Sequence, residues 1–131
     1  MNLGLGRLDQ IGVNVADIEA AIGFYGETLG LRLMLRPHPT MAFFDLGGIS
    51  LYLQQASDPA DIAKASVLYL RCGDIVLATA ELKAAGVSFV AEPHRVSEQP
   101  AYDLWMAFFT DPDGHTLALM QEAPKGYAPA E

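Results

Sequence analysis

Three histidines, one cysteine and a mid-strand tyrosine hold most of the reactive chemistry in this 131-residue chain. An imidazole near a carboxylate and an aromatic wall can bind a ligand or move a proton at neutral pH. His94 has that setting: it follows Glu92-Pro93 and precedes the aromatic run Tyr102-Asp103-Leu104-Trp105. His38 stands between Pro37 and Pro39, which predicts a surface loop. His115 follows the turn Asp111-Pro112-Asp113-Gly114 and is expected to begin a strand in solvent. No HxxxH or HxH spacing occurs, so histidine spacing supports no metal site. Cys72 is the only cysteine, which excludes an internal disulfide, and it reads as a small core residue. There is no GxSxG nucleophile motif and no phosphate loop; the glycines of Asn2 to Gly6 precede a strand instead of following one.

Two strands place the other candidates. Alternation in Ile49 to Gln54 puts Ser50, Tyr52 and Gln54 on one face and the two leucines on the other. The polar set is expected to face a cavity, with Leu51 and Leu53 against a helix. Leu104 to Thr110 also alternates: Leu104, Met106 and Phe108 share one face, and Trp105, Ala107 and Phe109 the other. Both faces are apolar, so burial on both sides is expected. An apolar wall with a few polar groups also suits a small-molecule site. Trp105 either closes the rim of that site or packs against the helices.

The elements that carry these residues occur twice. A shift of 57 places brings Asp17-Ile18 onto Asp74-Ile75 and Gln10 onto Val67. A shift of 66 brings Gly48 onto Gly114, Gln55 onto Gln121 and Tyr52 onto Ala118. Repeated units of this kind face a shared space with equivalent positions. The first copy, residues 8–55, predicts a strand from Leu8 to Val15 and a helix with Ile18, Ile22, Tyr25 and Leu29 in one stripe, ended by Gly30. Strands Leu31 to Arg36, Met41 to Leu46 and Ile49 to Gln55 follow, the last two joined at Gly47-Gly48. Residues 56–64 are polar, contain Pro59 and read as a linker. The second copy, residues 65–121, repeats the order. A strand Ser66 to Cys72 leads to a helix from Asp74 with Ile75, Ala78, Leu82 and Ala85 on one face. A strand Val87 to Ala91, resuming near His94 to Val96, a polar loop Ser97 to Tyr102, and strands Leu104 to Thr110 and Thr116 to Gln121 complete it. Residues 122–131 read as a loose tail.

Bulk properties narrow the partners. A hydrophobic content of 51% supports a real core within a single domain spanning residues 1–131. A net charge of −8 argues against nucleic acid. No apolar run approaches a membrane span, and the N-terminus lacks an apolar signal core, so a cytoplasmic location is expected.

Three stretches, Leu8 to Asp17, Phe24 to Leu31 and Phe108 to Leu117, carry a resemblance to the vicinal oxygen chelate superfamily. This group includes glyoxalase I, extradiol dioxygenases and bleomycin-resistance proteins. The pieces Phe24-Tyr25…Leu29-Gly30 and Asp111-Pro112-Asp113-Gly114 are specific in combination, and the likeness spans Leu8 to Gln121. It implies an α+β fold of two tandem βαβββ modules, each a curved, half-barrel mixed sheet enclosing half of a cavity. It also implies metal ligands at Gln10, Tyr52, Val67 and Ala118, the positions used by metal-dependent members. Valine and alanine have no donor atom, so no metal and no cofactor are expected.

The function expected is therefore metal-independent binding of a small organic ligand in an apolar cavity. Met106, Phe108 and Trp105 would supply apolar area, and Gln10, Tyr52 and His94 hydrogen bonds. The alternative is an enzyme of this superfamily, a glyoxalase or lyase, isomerase or dioxygenase-like protein. It would be metal-free with Tyr52 or His94 as the acid-base group, or would use metal ligands not yet identified. A homodimer is expected from the resemblance.

Overall fold

The computed structural model describes residues 8–62 and 66–127. Two compact units divide the chain, Met1–Ala63 and Lys64–Glu131. In the first, β1 (Gln10–Val15) leads into α1 (Ile18–Ile22), a π-helical turn (Gly23–Thr28), β2 (Arg32–Leu35), β3 (Met41–Asp45) and β4 (Ser50–Gln55). In the second, β5 (Leu68–Arg71) leads into α2 (Ile75–Ala84), β6 (Phe89–Glu98), β7 (Asp103–Thr110) and β8 (Thr116–Ala123). Each unit forms one four-stranded mixed sheet, ordered β1-β4-β3-β2 and β5-β8-β7-β6. The first and last strands of each unit pair in parallel and the others antiparallel. The architecture is α+β and made of two βαβββ modules.

The duplication is visible as repeated hydrogen bonds. The first amides of a helix have no partner within it. In unit 1 the Asp17 carboxylate accepts from Glu19 N at 3.0 Å and Ala20 N at 3.2 Å. Ile18 N, the remaining donor, reaches Gln55 Oε1 at 3.0 Å. In unit 2 Asp74 accepts from Val76 N and Leu77 N, both at 3.1 Å, and Ile75 N reaches Gln121 Oε1 at 2.9 Å. An aspartate cap and a glutamine at the end of the last strand thus satisfy each helix start and pin it to the sheet.

Each sheet buries one face under its own helix. In unit 1 Val13, Val15, Ala42, Phe44, Leu51 and Leu53 are buried with Ile18, Ala21 and Tyr25. In unit 2 Ala107, Phe109, Leu117 and Leu119 are buried with Ile75 and Thr79. Burying a large apolar side chain stabilises by about 1.5–3 kcal/mol, so these faces hold the units together. Gly47 and Gly48 both have positive φ, as the two-residue hairpin turn between β3 and β4 requires.

Several elements differ from the sequence expectation. The first helix changes to i→i+5 bonding, with Leu29 N on Phe24 O at 2.9 Å, so the 3.6-residue stripe does not persist. Ala21 is buried, while Ile22 and Leu29 are only half-buried. In α2 the buried residues are Ile75 and Thr79, while Ala78 and Leu82 are half-buried and Ala85 is exposed. Residues 89–98 form one strand with register shifts instead of two pieces. Pro93 is tolerated there because β6 is an edge strand. Burial of β7 on both sides is not seen: Leu104, Met106 and Phe108 are half-buried. β8 runs to Ala123, and the following segment packs back through Lys125 on Asp103 and Tyr127 against Trp105. Part of the expected linker, residues 63–64, and of the tail, residues 128–131, lies outside the described residues, as do Asn2 to Gly6.

Candidate functional site

The face of each sheet away from its helix carries the chemistry. On unit 1, Gly12, Tyr52 and Phe43 are ladder partners in one row across β1, β4 and β3. Gln10 pairs with Ser50, one row away on the same face, so Gln10 and Tyr52 are diagonal neighbours. Phe43 and Tyr52 stack with centroids 4.8 Å apart and planes 14° from parallel. The Tyr52 hydroxyl donates to Gln54 Oε1, which orients the phenol. Ser50, Tyr52 and Gln54 share this face, with Leu51 and Leu53 buried on the other. At its margin Asp45 pairs with Arg32 at 3.3 Å. The amides of Gly48 and Gly47, together with Arg32, hold the Asp45 carboxyl below its ordinary value.

On unit 2 the equivalent row is Tyr69, Ala118, Phe108 and Ala91, and the next is Arg71, Met120, Met106 and His94. Tyr69 and Phe108 meet edge to face at 6.3 Å across the Ala118 strand, and the His94 ring lies 6.3 Å from Phe108. His94 Nδ1 is 2.7 Å from the Glu92 carbonyl oxygen. A carbonyl only accepts, so Nδ1 is the donor in this contact, and in the neutral ring Nε2 then carries the lone pair. Arg71 binds Glu122 at 2.8 Å, which neutralises both charges locally and favours the protonated guanidinium.

The structure therefore brings Met106, Phe108 and His94 together on one sheet, and Gln10 and Tyr52 on the other. Trp105 takes the opposite face of β7, beside Ala107 and Phe109, and stands edge-on to Tyr127 at 5.4 Å. Gly12, Phe43 and Tyr69 complete the open faces and were not singled out in the sequence. Gly12 and Tyr69 had a signal in the sequence, alternation in step with Gln10 and Val67; Phe43 is placed by its cross-strand pairing with Tyr52, which residue order alone does not give.

The positions where the fold family implies a divalent metal do not fit one. Gln10 offers a neutral amide and Tyr52 a protonated phenol whose hydrogen goes to Gln54. Val67 precedes β5, and Ala118 is fully buried between the strands of Tyr69 and Phe108. Neither side chain has a lone pair, and a catalytic divalent site takes three protein ligands.

His115 is buried, not in solvent as expected. The Asp111 carboxylate accepts from the backbone amides His115 N at 2.8 Å and Asp113 N at 2.9 Å, which closes the β7–β8 turn. Ligand atoms of Asp111, Asp113 and His115 lie within 4.8 Å of one another, the one such group among the described residues. Cys72 is half-buried with Sγ 3.7 Å from Met120 O, and burial pushes its thiol pKa up, away from the reactive thiolate. His38 is exposed, with Nδ1 2.9 Å from Thr40 Oγ1.

The comparisons with known proteins agree with this architecture. The Glyoxalase/Bleomycin resistance protein/Dioxygenase superfamily matches residues 7–119. A superfamily member from Sphaerobacter thermophilus is 25% identical with a TM-score of 0.70, over 92% of this chain and all of that one, 100%. A protein from the mobile metagenome of V. Pseudocholerae is 18% identical with a TM-score of 0.75, over 94% and 99% of the two chains. TioX from Micromonospora sp. ML1 is 19% identical with a TM-score of 0.69, over 89% and 99%. With two βαβββ modules and a match over most of its length, the chain belongs to the Glyoxalase/Bleomycin resistance protein/Dioxygenase superfamily.

Proposed function

We propose that this protein binds a small organic molecule without a metal, against the open faces of its sheets. One observation carries the reading: the positions that would ligate a metal are Gln10, Tyr52, Val67 and Ala118, and aromatic rings stand beside them. Phe43 stacks on Tyr52, and Tyr69 and Phe108 meet across the strand of Ala118. On the second unit Met106 and Phe108 supply apolar surface and His94 a hydrogen bond; on the first, Gln10 and Tyr52 supply hydrogen bonds. Burying roughly 100 Å² of apolar ligand surface contributes about 2.5 kcal/mol. Trp105, on the helix-side face, supports β7 from behind.

Metal analysis of the purified protein followed by a thermal-shift ligand screen tests this reading. The expected result is no stoichiometric metal, no loss of stability in EDTA, and stabilisation by organic ligands. A tightly held ion at the Gln10–Tyr52 face, or turnover that needs an added divalent metal, refutes it.

A second reading, metal-free catalysis, draws support from His94. Its protonated Nδ1 is tied to Glu92 O at 2.7 Å, which presents Nε2 as a base. Turnover of a screened ligand that His94→Ala abolishes would favour it over sequestration. No helix among the described residues is long and apolar enough to cross a membrane. The working state we propose is a cytoplasmic homodimer, checked by light scattering at micromolar concentration.

A further inference from the structure

Gly12 is the one residue of its row whose identity neither the backbone nor the packing explains. Its φ lies outside the left-handed region, so any residue could adopt this backbone. A Cβ placed there would meet only Tyr52 Cδ2, at 3.7 Å, an ordinary contact. Glycine inside a strand weakens it, and one use of such a glycine is to let a ligand approach closely. What this glycine provides is open space beside the Tyr52 ring.

The shape of that space follows from the stack. The Phe43–Tyr52 centroid distance of 4.8 Å matches the roughly 4.8 Å between neighbouring strands, so the stack runs across the strands. Phe43 covers one side of Tyr52. The next place along the same axis lies over Gly12, the ladder partner of Tyr52 on the other side. In unit 2 the place equivalent to Gly12 by the shift of 57 holds Tyr69, whose ring lies on that sheet and meets Phe108. The second module thus fills with its own side chain the place that the first leaves empty.

We infer that the space over Gly12 is a stacking slot for a flat aromatic group, which lies on Tyr52 as the third ring after Phe43. Gln10, two residues along the same face, sets a hydrogen-bonding amide at one edge of the slot, while Asn14 on the other side spends its Nδ2 on Asp61 O at 2.9 Å. The ligand class is a planar aromatic molecule with polar substituents at its rim. This rests on the small-molecule reading above and narrows it.

Calorimetry on the full chain with two probes of matched size, naphthol and its saturated counterpart decahydronaphthol, tests the slot. Naphthol is expected to bind roughly tenfold more tightly, as ring stacking adds to simple area burial. Gly12→Val fills the slot and should remove that preference while the circular dichroism spectrum stays unchanged. Naphthol binding that Gly12→Val leaves intact overturns the slot and leaves small-molecule binding standing. Equal affinity for the two probes does the same. Absence of binding by both overturns the slot, and the ligand screen then decides the broader reading separately. Should Gly12→Val not fold, Tyr52→Leu, which removes the stacking surface, is expected to erase the preference; retention of it overturns the proposal.

Discussion

Replacing Gln121 with leucine should destabilise the protein out of proportion to the size of the change. Gln121 Oε1 is the acceptor for Ile75 N at 2.9 Å, and Ile75 is fully buried. The neighbouring amides of Val76 and Leu77 occupy Asp74, so no capping group is left over for Ile75. The variant strands a buried donor, which costs about 1–3 kcal/mol, so a loss of roughly 2 kcal/mol is expected. For a chain of this length 2 kcal/mol lowers the melting temperature by roughly 7 °C. Urea unfolding followed by circular dichroism and by tryptophan fluorescence measures it, with coincident transitions as the check on two-state behaviour. Gln55→Leu should cost a similar amount, because Ile18 N reaches Gln55 Oε1 at 3.0 Å in the same arrangement. Gln121→Glu keeps the acceptor and places a negative charge at a helix N-terminus, so it should cost clearly less. If both leucine variants lose less than about 0.5 kcal/mol, the view that these glutamines fasten helix to sheet is wrong.

Two further predictions concern stability. The buried Asp103 carboxyl is held below its ordinary 3.8, first by Lys125 at 2.7 Å and then by Arg95 at 4.0 Å. Because the folded value lies below the unfolded one, this stabilisation is complete above the unfolded value and is lost as pH falls through the folded one. The stability gap between wild type and Asp103→Asn should therefore be present at neutral pH and shrink below about pH 4, read from urea midpoints across pH. Gly86 ends α2 at φ +92°, where a Cβ is strained, so Gly86→Ala should cost about 1 kcal/mol in the same assay.

Much of the scaffold is legible in residue order because its signals are local. Asp17 and Asp74 announce helix starts by the capping chemistry of a short carboxylate, and Gly47-Gly48 announces a hairpin by its access to positive φ. The alternation that places Ser50, Tyr52 and Gln54 on one face, and Met106 with Phe108 on one face, follows from the two-residue period of a strand. The departures arise where a local rule meets a longer-range constraint. The helical stripe ends at Ile22 because the chain changes to a π turn. His115 is buried next to a turn that Asp111 closes through the backbone amides of Asp113 and His115.

By itself, the sequence determined the duplication, the order of elements, the faces of the strands and the lack of donor atoms at Val67 and Ala118. These are properties of residue type and of spacing along one segment. Tertiary structure decided which residues share a row: Gly12 beside Tyr52 and Phe43, Tyr69 beside Phe108, and Trp105 on the far side of β7. It also decided that Gln55 and Gln121 serve the helices instead of the open face. Such choices depend on strand register and on contacts between distant segments. A shift of one residue in register turns every side chain to the other face, so the three-dimensional pairing is what fixes the site.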